Sequence, residues 1–80
     1  MPPKKKVRRK RNPVLTLEVE IERELDGRWL ADIPKIPGVM KYGRTRQEAL
    51  RNVQTLALRV LADRLEGGEL KEASISFAVA

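Results

Sequence analysis

Four glutamates, Glu18, Glu20, Glu22 and Glu24, stand on alternate positions, and a fifth, Glu48, lies three residues after Thr45. Clustered carboxylates suit metal-dependent phosphodiester cleavage, in which several acidic side chains converge on divalent cations. The pattern here argues against convergence. Alternation turns the first four away from the apolar face of a strand, Glu48 has a structural task described below, and the last strand offers only Ser74 and Ser76 on its polar face. The chain has no cysteine and no histidine. A disulfide scaffold and a thiolate metal site are therefore excluded, as are the commonest general base and the commonest zinc ligand. The expectation is a binding protein rather than an enzyme, with no catalytic residue, metal or cofactor.

Three surfaces could serve binding. The alternating carboxylates form an acidic stripe able to attract and steer a basic partner. The plainer reading is a solvated sheet face, partly balanced by Arg28. At the N-terminus, Lys4, Lys5, Lys6, Arg8, Arg9, Lys10 and Arg11 form a run suited to nucleic-acid phosphates through counterion release. No aromatic residue is interleaved there, so base stacking is not offered. The run also has the look of a nuclear localisation signal, and a solvated, silent tail is equally open. Lastly, the apolar positions of the helix described below sweep an arc of roughly 200°, wider than one sheet face requires. Leu58 and Leu65 on one flank and Leu56 on the other are candidates for self-association, first of all as a dimer. The alternative is a broad internal core with Leu58 singly exposed.

Charge and composition divide the chain. The net charge is +6, yet seven of the seventeen basic residues precede the first acid. From Asn12 onward ten basic residues face eleven acidic ones, so the excess charge belongs to the tail. Residues 1–13, polybasic with three prolines, cannot bury enough surface to offset ordering entropy and are expected to stay disordered. Residues 14–80 form one small domain. Its aromatic residues are only Trp29, Tyr42 and Phe77, so the core must be aliphatic. A domain of this size buries a small share of its surface, which favours association. No apolar stretch approaches the roughly 20 residues that span a bilayer, and the basic start lacks the apolar segment of a secretory signal. A soluble cytoplasmic protein is the expectation.

The elements that must position these groups follow from periodicity. Val14 to Glu24 alternates, with Leu15, Leu17, Val19 and Ile21 on one face. Trp29, Ala31 and Ile33 resume the alternation after a turn. A two-residue loop at Asp26-Gly27 would set Ile21 opposite Asp32 and mix the faces. A three-residue loop, Leu25-Asp26-Gly27 with Gly27 left-handed, instead pairs Glu24 with Arg28, Arg23 with Trp29, Ile21 with Ala31 and Val19 with Ile33. It leaves Glu20 facing Asp32. Pro34-Lys35-Ile36-Pro37-Gly38 redirects the chain, and Val39 to Tyr42 is a short third strand. Thr45-Arg46-Gln47-Glu48 fits a capping box, in which Glu48 reaches back to the amide of Thr45. A helix from about Arg46 to Glu66 ends at Gly67-Gly68. A last strand, Ala73 to Val79, turns Ile75, Phe77 and Val79 inward. The fold class is α+β, in the order β-β-β-α-β, with one long helix on one face of a mainly antiparallel sheet.

The ordered series Val19-Glu20-Ile21-Glu22-Arg23-Glu24, Asp26-Gly27-Arg28-Trp29, Ile33-Pro34-Lys35-Ile36-Pro37-Gly38-Val39 and Tyr42-Gly43-Arg44-Thr45-Arg46-Gln47-Glu48-Ala49 resembles HicB-family antitoxin domains. The likeness lies in the opening hairpin, the P-x-x-P-G turn and the G-x-T-x-E-E-A start of the helix, and it covers most of Val14 to Ala80. It implies a reduced ribonuclease-H-like fold that neutralises a small HicA-type mRNA-cleaving toxin by binding it. Many relatives add a C-terminal DNA-binding domain; with the last strand closing these 80 residues, the expectation is a short form without one. A different reading, a nucleic-acid-binding protein whose basic tail grips phosphates on an oligomeric α+β body, stays open beside it.

Overall fold

The computed structural model describes residues 14–71 and 74–79. Five elements follow one another: β1 (Val14–Arg23), β2 (Trp29–Asp32), β3 (Met40–Gly43), α1 (Arg46–Glu66) and β4 (Ser74–Val79). They form a four-stranded sheet in the order β3-β2-β1-β4 with α1 on one face. β1 pairs antiparallel with β2, and β2 with β3, whereas β4 lies parallel to β1. The sheet is thus mixed, and the expected α+β order holds. The segment between β3 and β4 contains the long helix, as a crossover to the far edge requires.

Alternation in β1 seats Leu17 and Val19 in the core, together with Ala31 and Ile33 from the second strand and its extension. The hairpin register is the one argued from face matching: Arg23 opposite Trp29, Ile21 opposite Ala31 and Glu20 opposite Asp32. Gly27, at φ 91°, takes the left-handed position that lets three residues close the loop. The Arg23 guanidinium lies 5.6 Å from the centre of the Trp29 ring. Arg28 does not turn to Glu24. Its Nε donates to Asp26 at 2.8 Å, and its guanidinium stacks 4.1 Å from the centre of the Tyr42 ring. The backbone amide of Arg28 also donates to Asp26, and this bond holds the Asp26 carboxyl below its ordinary range.

The proline-rich connection does more than redirect the chain. Ile36 N–H donates to Ile33 C=O and Val39 N–H to Ile36 C=O, two consecutive turns that drive Ile33, Ile36 and Val39 into the core. Ile33 N–H donates back to Val39 C=O, closing the segment on itself. β3 begins at Met40, one residue later than alternation predicts, because Val39 belongs to this turn.

α1 has the expected bounds, with Thr45 as its N-cap. The Thr45 hydroxyl accepts from the Glu48 amide at 3.0 Å, whereas the Glu48 carboxylate accepts from the amide of Arg44, one residue before the expected Thr45. Either way an amide at the helix start is satisfied and a carboxylate meets the positive end of the helix dipole. Ala49, Val53, Ala57 and Leu61 face the sheet. Two are alanines, and the helix starts so close to β3 that a Cβ on Gly43 would strike the backbone of Ala49, its Cα being 2.8 Å away. That approach admits no side chain.

Gly43→Ala is therefore expected to lower stability by about 2 kcal/mol, in the range of overpacking a rigid site. Urea denaturation followed by circular dichroism measures it; an unchanged midpoint would mean that the helix sits farther from β3.

Candidate functional site

With α1 on one side, the other face of the sheet has no covering element among the described residues. Registers assign its side chains row by row. Glu22, Leu30 and Tyr42 stand side by side across β1, β2 and β3, and Glu20, Asp32 and Met40 form the next row. Beyond the end of β2, Glu18 neighbours Ala78 and Thr16 neighbours Ser76 across β1 and β4. The result is an open acidic face with an apolar border of Leu30, Met40 and Tyr42. Met40 is 46% exposed and Tyr42 43%, so the border is accessible.

The stripe read from the sequence survives in part. Glu18, Glu20 and Glu22 are exposed on this face, but Glu24 is not in line with them. It follows the last residue of β1 and is half-buried where the hairpin closes: its N–H donates to Arg28 C=O, and its carbonyl accepts from Gly27 N–H. Asp32 takes the fourth acidic position. Sequence reasoning met this residue as a blemish of the hairpin, a carboxylate forced opposite Glu20. That register was the signal that could have identified it as part of the site.

Among the described residues, the cations near this face sit at its corners. Arg28 is engaged by Asp26 and Tyr42 at one end. At the other, the turn after β2 brings Lys35 beside Glu18 and Glu20 in an open hollow, where its ammonium donates to the Thr16 carbonyl at 3.1 Å. Among the described residues, no cation lies within 4.0 Å of Glu18, Glu20, Glu22 or Asp32. Like charges directly opposite each other destabilise a strand pair, so Glu20 and Asp32 store repulsion that a bound cationic group would relieve. Among the described residues, no three acidic side chains gather closely enough to hold a metal ion.

The other candidates fall elsewhere. Lys4, Lys5, Lys6, Arg8, Arg9, Lys10 and Arg11 lie outside the described residues. Leu58 and Leu65 share one flank of α1 beside β4, whereas Leu56 is half-buried on the opposite flank. That second flank carries a polar groove missed in the sequence, where Lys41 of β3 meets Arg51 and Arg59 of α1. The Asn52 side chain ties the helix to this edge by donating to the Tyr42 carbonyl at 3.1 Å. Helical spacing places Arg51 and Arg59 together, but only the fold brings Lys41 to them.

Asp32→Asn should raise stability by about 0.5 kcal/mol at low salt, the scale of one unfavourable cross-strand pair, with the gain shrinking as salt is added. Thermal unfolding at two ionic strengths checks it, and a loss of stability would show that the carboxylate is held by attraction instead.

Compared with protein-family models, with curated proteins and with solved structures, the chain finds no match.

Proposed function

We propose that this protein is a binding module of the antitoxin type, HicB-like, which neutralises a small basic HicA-type toxin by covering the toxin's RNA-binding or catalytic surface. The observation that carries this reading is the sheet face left open among the described residues, where no described cation pairs with Glu18, Glu20, Glu22 or Asp32 beside exposed Met40 and Tyr42. A toxin that grips RNA presents a cationic surface, and opposed charge steers such a pair together and fixes its register. The apolar border supplies what charge alone does not. Aromatic and methionine side chains at an interface lose water on contact and slow dissociation. The sheet itself is rigid and already paired, so little ordering cost attends binding.

Titration of a HicA-type toxin with the full chain, followed by calorimetry and by mRNA cleavage, tests the reading. Glu20→Lys with Glu22→Lys should weaken binding at least tenfold at low salt, mainly by slowing association, and restore cleavage. Equal inhibition by the original chain and the variant, or no inhibition by either, would refute it.

A second reading, nucleic-acid binding, is favoured by one observation on the domain. Lys41, Arg51 and Arg59 line a groove on the flank of β3 and α1, apart from the acidic residues of the open sheet face, and supplement the charge of the basic N-terminal run. In this reading the seven tail cations carry the binding, with the body as their platform. Replacing all seven by Gln should abolish salt-sensitive retardation of duplex DNA or RNA. Binding retained with an undiminished salt dependence would transfer the role from the tail to the Lys41–Arg51–Arg59 flank.

A further inference from the structure

The helix does not cover the whole sheet. α1 leans on β3, β2 and β1, and leaves β4 largely open. Ile75 and Val79, which align with half-buried Leu15 and buried Val19 of β1, remain 38% and 39% exposed. Facing Ile75 across a groove are Leu58 and Leu65 of α1, 48% and 52% exposed, with Ala62 between them and Leu70 also in the lining. Among the described residues the groove is lined almost wholly by apolar side chains, with Lys71 as the one charged residue. A continuous apolar trough of this kind on a small domain marks an interface.

We infer that a second copy of this chain fills this trough, packing its own Leu58–Ala62–Leu65 flank against the first across a two-fold axis near Ala62. Three observations select a second copy. First, Leu58 and Leu65 are seven residues, two helical turns, apart with a small residue between them. In antiparallel contact Leu58 therefore meets Leu65 of the partner subunit, and Ala62 lets the backbones approach. Second, the other exposed surfaces of the domain carry like charges that a two-fold contact would bring together. The open sheet face would set carboxylates against carboxylates, and the β3 flank would set Lys41, Arg51 and Arg59 against themselves. Among the described residues the trough carries the charge of Lys71 alone, and the adjoining strand β4, Ser74–Val79, contains no charged residue. Third, the chain's own N-terminal segment is a poor occupant, because seven of its thirteen residues are Lys or Arg. Leu56 has no part in the contact, since it faces the basic groove on the far flank. The inference goes beyond the antitoxin reading and does not rest on it, because the acidic face lies on the other side of the sheet.

Sedimentation of the full chain over a wide concentration range should give twice the monomer mass. Leu58→Glu with Leu65→Glu should give a monomer whose far-ultraviolet circular dichroism is unchanged, while Leu25→Glu, at a fully exposed leucine in the hairpin loop, should remain dimeric. Should the double variant fail to fold, the cysteine-free chain allows a second test. Ala62→Cys should form a disulfide-linked dimer on mild oxidation and Leu25→Cys should not, because only residues near the axis come within disulfide distance. A monomeric original chain, a Leu58→Glu/Leu65→Glu variant that stays dimeric, or an Ala62→Cys chain that cross-links no better than Leu25→Cys would overturn the inference.

Discussion

Everything in this molecule is arranged around the seat of α1 on the sheet. Ala49, Val53, Ala57 and Leu61 meet Leu17, Val19, Ala31 and Ile33, and the helix comes down so near β3 that Gly43 has no room for a side chain. Close packing of this sort is unforgiving, since a methyl group inserted there displaces the helix axis and with it every contact along the row. Because the helix is pinned over β3 and β2, its position also determines which surfaces are left uncovered. One is the entire outer face of the sheet. The other is the inner side of β4 around Ile75 and Val79, which the helix leaves largely open.

These two exposed surfaces differ in chemistry. The outer face is acidic with an apolar border, suited to a basic protein partner. The trough beside β4 is apolar and nearly uncharged, suited to a copy of the same chain. The basic flank at Lys41, Arg51 and Arg59 lies between the helix and the opposite sheet edge. Segregating charge in this way lets one small domain keep several contacts apart, each selected against the others by repulsion as much as by attraction. The burial of polar groups follows the same economy. No charged or polar side chain is buried among the described residues, so the core specifies the fold by shape alone while recognition is left to the surface.

Much of this was legible in the residues. Alternation from Leu15 to Ile21 identified the core face of β1, and requiring Ile21 to face an apolar partner selected the three-residue loop at Leu25-Asp26-Gly27. Thr45 and Gly67 bounded the helix because caps are local chemistry. Other features were not legible, for physical reasons. Ile33, Ile36 and Val39 enter the core at a spacing of three, through consecutive turns, which matches neither strand nor helix periodicity. The inward alternation of Ile75, Phe77 and Val79 holds for Phe77, which packs against the core, while Ile75 and Val79 stay exposed because of where the helix sits, a tertiary fact. Glu24 continued the acidic alternation in sequence but fell outside the strand once the loop closed. Asp32 and Lys41 joined their surfaces only through pairing across strands.

The most direct measurement is methyl and carboxylate NMR of the labelled chain during titration with a HicA-type toxin. A partner seated on the acidic face shifts the Leu30 and Met40 methyl groups and the carboxyl carbons of Glu18, Glu20, Glu22 and Asp32, and leaves Val53, Ala57 and Leu58 unmoved. Shifts confined to the helix side of the sheet, or to the lysines and arginines of residues 4–11, would contradict the role assigned to that face.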